Sequence, residues 1–192
     1  GAKMTSKKVE FENSRGLTIS GKLENVDGNV DAYGIFAHCF TCTKDAYIAS
    51  HIAKILAEHG ISMLRFDFTG LGQSEGKFED SNFSHYIDDV KAAYNFLEVE
   101  YQAPKLTIGH SLGGTAILFA AKDLHDVEGV VTIGAPSSPE HVLHQFSDHL
   151  DEIQDKGHAE VLLGGRPFTI KDHFVEDVKK YDLNHYIHDF GK

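Results

Sequence analysis

The chain has 192 residues, of which 41% are hydrophobic and 24% are charged, and both values are ordinary for one globular domain. Its formal net charge is −11 at pH 7, which disfavours nucleic acid and anionic membranes as partners because both attract basic surfaces. No apolar run reaches the roughly 20 residues of a membrane-spanning helix, and no signal-peptide pattern opens the chain. We therefore expect a cytoplasmic protein without membrane association.

The first part of the chain predicts an antiparallel β-hairpin. The stretches KKVEFEN and LTISGKLE alternate apolar and polar residues, and the intervening SRG favours a turn. The apolar run AYGIFAHC follows and predicts a buried strand.

Predicted helices and strands then alternate along the chain. Further buried strands are predicted at ISMLRFDF, KLTIGHS and GVVTIGAP, the last of which ends at Pro136. Helices are predicted over 46–58, over a stripe from Phe83 to Leu97, and in GTAILFAAKDL. In the first of them the apolar stripe consists of Ile48, Ile52, Ile55 and Leu56. In the second, we expect Asp88 and Asp89 to favour the positive end of the helix dipole.

This alternation predicts an α/β fold with a mostly parallel sheet and helices on both faces, because strands that are apolar throughout need cover on both sides. Ligands of such sheets bind at the carboxyl ends of the strands. The segments HCFTCTKD, TGLGQSEG and GHSLGG all fall at those ends. We expect them to line one cleft.

Ser111 is the candidate nucleophile. It lies in a Gly-x-Ser-x-Gly pattern between a predicted strand and a helix beginning near Leu112, which is the context of a nucleophile elbow. Gly109 and Gly113 would remove Cβ atoms that crowd such a turn. The alternative is a glycine-rich turn in which Ser111 is merely polar. A second oxyanion donor is expected from the loop after an earlier strand, and the N–H of Phe40 is the candidate.

The segments HCFTCTKD, LRFDFTGLGQSEG and IGHSLGG, in this order and spacing, resemble the α/β-hydrolase superfamily and its carboxylesterase-like members. The segments TIGAPSSPEHV and GGRPFTIKDHFVED are similar to the hydrolase unit fused to OsmC-type domains in bacteria. The resemblance implies Ser111 as nucleophile, the N–H groups of Leu112 and Phe40 as oxyanion hole, and a lid-like insertion over 137–185. Cys39 departs from the pattern, since many members have glycine there.

The acid and histidine of the triad are not found in the sequence. In this fold they follow Ser111 in the order acid, then histidine, and the resemblance places them after two further sheet strands. Here the stretch IKDHFVEDVKKYDL predicts a helix after Gly164–Gly165, and only NHYIHDFGK remains before Lys192. We therefore expect one domain, 1–192, that is C-terminally incomplete, lacks its last strands, and is a poor catalyst.

Two other functions fit parts of the sequence. Cys39 and Cys42 form a Cys-x-x-Cys pair between a strand and a helix, as in thiol–disulfide redox proteins. A non-catalytic binding or scaffold domain would keep the fold without the triad.

No cofactor or metal is expected, because the His38–Cys39–Cys42 group and the His141–His144 pair offer too few ligands at zinc spacing. The expected partner is a small ester or acyl substrate. A sheet that ends early also predicts a homo-oligomer through its exposed edge.

Overall fold

The computed structural model describes residues 4–26 and 29–182. Within them the chain forms eight strands and five α-helices. The strands are β1 (Met4–Glu12), β2 (Thr18–Val26), β3 (Ala32–Ala37), β4 (Ile61–Phe66), β5 (Leu106–His110), β6 (Gly129–Ile133), β7 (His158–Leu163) and β8 (Arg166–Lys171). The helices are α1 (Tyr47–Glu58), α2 (Phe83–Glu100), α3 (Leu112–Ala120), α4 (Leu150–Lys156) and α5 (Asp172–Val178).

Six strands form one sheet in the order β1-β2-β4-β3-β5-β6. The β3–β4, β3–β5 and β5–β6 pairs are parallel, whereas β1–β2 and β2–β4 are antiparallel. Helix α1 packs with Phe36 and Met63 on one face. Helices α2 and α3 pack on the other face, in the same core cluster as Ile35 and Leu64. The predicted α/β class, with a mostly parallel sheet between helices, is confirmed.

The turn of the first hairpin follows from its side chains. The side-chain oxygen of Asn13 accepts hydrogen bonds from the backbone N–H groups of Arg15 and Leu17, each at 3.0 Å. Gly16 adopts a left-handed φ of 75°, which glycine reaches without the clash that a Cβ atom causes. The predicted turn between β1 and β2 is therefore fixed locally.

Helix α1 buries a different stripe from the predicted one. The fully buried residues are Ala49, Ala53 and Ala57, at intervals of four. Ile55 of the predicted stripe is 42% exposed. Small side chains let the helix axis approach the sheet closely, so the isoleucines lie at the flanks of the contact.

The segment after β6 contains a hairpin that was not predicted from the sequence. A 3₁₀ segment (Pro139–His149) and α4 lead into β7 and β8, which form a separate two-stranded antiparallel sheet. Gly164 and Gly165 have left-handed φ values of 59° and 77° and make the turn. The helix predicted in IKDHFVEDVKKYDL is present as α5, which begins at Asp172, and β8 (Arg166–Lys171) lies between the glycines and this helix.

The main sheet has an open edge at β6 within the described ranges. Val130 is 40% exposed and Val131 is 45% exposed, although valine side chains in a parallel sheet are normally covered. In the same part of the chain, no helix combines the length and the apolar character needed to cross a membrane.

Candidate active site

Ser111 lies in the sharp turn between β5 and α3. Its backbone has φ 54° and ψ −124°, and apart from Thr41 no other non-glycine residue of the described chain has positive φ. Its N–H donates to the carbonyl oxygen of Ile133 at 2.8 Å, which ties the turn to β6. Non-glycine residues with such backbone angles are costly and occur preferentially at functional sites.

The glycines around Ser111 are required by close backbone approaches. A Cβ atom on Gly109 would lie 2.3 Å from the Cα of Gly114. A Cβ atom on Gly113 would lie 2.3 Å from the carbonyl oxygen of His38. Helix α3 therefore begins directly against the loop that follows β3, and the predicted reason for both glycines holds.

The two candidate oxyanion donors belong to residues that line one narrow cleft. This cleft is lined by Phe40 and Leu112, together with His38, Cys39, Phe68, Leu71, Tyr86 and Gly113. Among the described residues, neither the N–H of Phe40 nor that of Leu112 donates a hydrogen bond. Leu112 is the first residue of α3, so its N–H has no partner inside the helix. Backbone N–H groups left free in this way are available to an anionic oxygen.

His38 connects two of the predicted cleft loops. It is 1% exposed, its Nδ1–H donates to the carbonyl oxygen of Cys39 at 2.7 Å, and its Nε2 accepts from the N–H of Phe68 at 3.1 Å. These two bonds require a neutral imidazole with its proton on Nδ1. Burial lowers the pKa of His38 to about 4 from 6.5. Both ring nitrogens of His38 are therefore occupied by hydrogen bonds that stabilise the loop, and His38 does not serve as a base for Ser111.

A buried ion pair joins the same loops at a second point. The carboxylate of Asp67, which is 0% exposed, contacts Lys44 Nζ at 2.7 Å and accepts from the N–H groups of Lys44 at 2.7 Å and Gln73 at 2.9 Å. Sequence reasoning missed this pair. The signal was an aspartate placed directly after the buried residues of β4, where an unpaired carboxylate would be costly.

Asp89 has a different role from the predicted one. It lies beyond the first turn of α2, is 0% exposed, and accepts hydrogen bonds from the N–H and the hydroxyl of Thr69 and from the side-chain amide of Asn13. Burial raises the pKa of Asp89 to about 6 from 3.8, although these hydrogen bonds oppose the shift. The residue joins α2 to the loop after β4 and to the first hairpin turn.

The segment after β6 packs onto the loop that carries Phe40. The Phe40 ring stacks on the Phe174 ring of α5, with centroids 5.5 Å apart. The guanidinium of Arg166 in β8 donates to the carbonyl oxygen of Thr41 at 2.5 Å. In this loop Cys39 and Cys42 are joined by a disulfide. The sequence offered this pair only as a redox alternative and did not predict these contacts with the later segment.

The Ser111 hydroxyl has no hydrogen-bonding partner among residues 4–26 and 29–182. His141 and His144 lie near each other, with ring centroids 4.6 Å apart, but no group of three or more potential ligands able to hold a metal ion is found in those residues. His185 and His188 lie outside the described residues.

The comparisons with known proteins fit this geometry. A family described as serine aminopeptidase, S33 (Hydrolase_4) matches residues 30–190. The chain belongs to this family. The superfamily expected from the sequence is therefore confirmed, and the family match includes Phe40, Ser111 and Leu112.

Individual relatives of this S33-family chain are named as an esterase domain, a thioesterase and a polyketide transferase. The esterase domain of a Rhodothermus marinus protein is 40% identical, with a TM-score of 0.69, over 94% of this chain and 70% of that one. Palmitoyl-protein thioesterase ABHD10 of Rattus norvegicus is 27% identical over 77% of this chain. Polyketide transferase claH of Penicillium crustosum is 32% identical over 47% of this chain. The chain spans only 42% of the thioesterase and 30% of the transferase.

Proposed function

We propose that this chain carries the nucleophile and oxyanion hole of an esterase-type serine hydrolase that acts on a small ester or acyl substrate. The observation that supports the proposal most directly is the pairing of a strained, half-buried Ser111 with two free N–H groups, those of Phe40 and Leu112. Ser111 attacks the substrate carbonyl carbon, and the two N–H groups stabilise the negative charge that develops on its oxygen.

The lining of the cleft favours an apolar acyl group, because it includes the aromatic residues Phe40, Phe68 and Tyr86. In this conformation the cleft has no room for a water-sized molecule, so its walls have to move apart to admit a substrate. In this proposal 137–185 is a lid-like insertion that closes over the site, because α5 and β8 both contact the Phe40 loop. Relatives that are named as an esterase and as a thioesterase support an ester or acyl substrate.

We further propose that the described residues lack the triad acid and base. A serine hydroxyl without a base is a weak nucleophile, and losing the histidine of a serine hydrolase costs roughly a millionfold in turnover. The chain should therefore turn over esters slowly by itself. This proposal also includes a cytoplasmic location, a fusion to an OsmC-type domain, and the arrangement of 1–192 as one domain. The rat relative is named as mitochondrial.

A fluorophosphonate probe and a p-nitrophenyl ester test the proposal together. Ser111→Ala should abolish probe labelling, whereas Ser137→Ala, which changes an exposed serine on another loop, should leave it intact. Labelling that survives in Ser111→Ala would refute the nucleophile assignment. Absence of labelling in the wild-type chain would instead favour the non-catalytic scaffold.

A double variant of His185 and His188 tests whether either histidine is the base for Ser111. We expect His185→Ala with His188→Ala to leave slow ester turnover unchanged. Loss of turnover in that variant, with the unfolding free energy unaltered, would place the base in residues 183–192.

A further inference from the structure

The loop after β3 contains a covalent constraint around a candidate oxyanion donor. The disulfide joins Cys39 to Cys42, with Cα atoms 5.2 Å apart, and encloses Phe40 and Thr41. Both cysteines are half-buried. A disulfide between residues three apart restricts little of the unfolded chain, because its effect on chain entropy grows with loop length. Its main influence is therefore on the conformation of this loop.

Thr41, which the disulfide encloses, has a strained backbone conformation. Its φ is 61°, in the left-handed region that β-branched residues strongly disfavour. Two hydrogen bonds support this conformation: the N–H of Cys42 donates to the Cys39 carbonyl oxygen at 3.1 Å, and Arg166 donates to the Thr41 carbonyl oxygen at 2.5 Å. Strained conformations of this kind persist only where several surrounding constraints act together.

We propose that the Cys39–Cys42 disulfide is a reversible thiol–disulfide exchange site that sets the position of the Phe40 N–H. In the oxidised form the loop holds this N–H beside that of Leu112. In the reduced form Thr41 relaxes, the Phe40 N–H moves, and the Arg166 contact from β8 is lost. The functional consequence rests on the proposed role of Phe40 and Ser111, whereas the exchange and the loop movement do not.

The chemistry requires a dithiol reductant, the class that includes CxxC oxidoreductases. A thiolate of the reductant attacks one cysteine sulfur and forms a mixed disulfide, and the other cysteine leaves as a thiolate. The second thiol of the reductant then displaces the remaining cysteine. Two electrons pass to the protein, the two thiolates take up two protons, and the reductant becomes a disulfide.

The experiment compares the full chain in oxidised and reduced dithiothreitol. Alkylation with iodoacetamide and mass measurement give the fraction reduced. Amide hydrogen exchange is followed in 38–44 and 158–171, with α1 as an internal reference. The rate of Ser111 labelling by the fluorophosphonate is the functional readout. Reduction should speed exchange in both segments at least tenfold and slow labelling about tenfold, less than the roughly 10²–10³ that a lost oxyanion donor costs.

Two variants separate the disulfide from its effect on Thr41. Cys39→Ser with Cys42→Ser should behave as the reduced form in either buffer. Thr41→Gly should keep fast labelling after reduction, because glycine adopts a left-handed φ without strain. Equal loss of labelling on reduction in Thr41→Gly and wild type would overturn the mechanism.

Failure of this proposal differs from failure of the proposed function. Unchanged exchange in 38–44 after full reduction overturns the proposal, as does a disulfide that dithiothreitol does not reduce. Equal labelling of the oxidised and reduced chains, with labelling abolished by Ser111→Ala, overturns it while the hydrolase function stands. No labelling in any form refutes the hydrolase function alone, and hydrogen exchange then decides whether the disulfide controls the loop.

Discussion

Two regions of the main sheet differ in how far their ion pairs are exposed to water. One region is the loops after β3, β4 and β5, and the other is the open edge at β6. In the loops, Lys44 and Asp67 form a pair at 2.7 Å with 3% and 0% of their side chains exposed. Near the edge, Lys105 and Glu128 form a pair at 3.8 Å with 48% and 77% exposed. The first pair is shielded from water, and the second is solvated.

The difference indicates that residues in the loops are held in fixed positions more firmly than residues at the β6 edge. Stabilising an oxyanion requires donors that are fixed before reaction. In the proposed site, the contacts of Phe40 with Phe174 and of His38 with Phe68 would hold the loop that carries the Phe40 N–H. In the described part of the chain, Val130 and Val131 lie exposed on the β6 edge. Interactions at the central loops should therefore be sensitive to small changes that the edge tolerates.

The largest effect on the free energy of unfolding is expected when the buried carboxylate of Asp67 is removed. Asp67→Ala removes the buried carboxylate that faces the ammonium of Lys44, which keeps only the side-chain oxygen of Gln73 at 3.1 Å and the exposed carboxylate of Asp45 at 3.6 Å. This should lower the free energy of unfolding by about 3 kcal/mol. Glu128→Ala removes the matched exposed pair and should cost less than about 1 kcal/mol. Urea denaturation measures both. Similar losses in the two variants would contradict the contrast between shielded and solvated pairs.

The pH dependence of the central loops should contain two opposing contributions. The pKa of His38 is lowered to about 4, so its contribution to stability is full above its unfolded pKa of 6.5 and is lost as pH falls through about 4. The pKa of Asp89 is raised to about 6, so its contribution is full below its unfolded pKa of 3.8 and is lost as pH rises through about 6.

Variants of these two residues separate the contributions. Between pH 7.5 and 4.5, the stability advantage of wild type over His38→Gln should shrink by about 2 kcal/mol, and its advantage over Asp89→Asn should grow by about 2 kcal/mol. Urea unfolding at several pH values gives both differences. Parallel curves for wild type and either variant would show that the residue does not titrate as its burial indicates.

Alanine substitutions at two glycines, Gly113 beside the Phe40 loop and Gly129 in β6, test the same difference between the two regions. Gly113→Ala places a Cβ atom 2.3 Å from the His38 carbonyl oxygen, so the Phe40 loop must shift. We expect a loss of about 1–3 kcal/mol in stability and at least tenfold slower probe labelling of Ser111. Gly129→Ala in β6 meets only Leu106 Cδ1 at 3.5 Å and should change neither quantity measurably. Undiminished labelling in Gly113→Ala would refute the tight contact between α3 and the loop.

The smallest effect on stability is expected at the edge itself. Val131→Lys should alter the free energy of unfolding by less than about 0.5 kcal/mol, because the side chain is already 45% exposed. The variant should nevertheless suppress self-association through β6, since charge on an edge strand opposes strand pairing. Light scattering over a concentration series measures this. A wild-type chain that is monomeric at every concentration would refute the predicted homo-oligomer.

The sequence by itself determined the order of strands and helices from β1 to β6 and the turn that carries Ser111. These features depend on local patterns: the apolar runs of the parallel strands, the Asn13–Gly16 turn, and glycines at Gly109 and Gly113. Such signals act between residues close in the chain, so they can be read without coordinates. The hairpin of β7 and β8 was missed although its period-2 pattern is also local.

Only the tertiary structure decided which polar residues hold the site together. Asp89 looked like a helix-dipole residue in the sequence, but its bonds run to Thr69 and Asn13 on other elements. Arg166 reaches Thr41 across 125 positions of chain. Hydrogen bonds and ion pairs depend on distances of a few ångströms between elements, and these distances are set by how the helices and loops pack on the sheet.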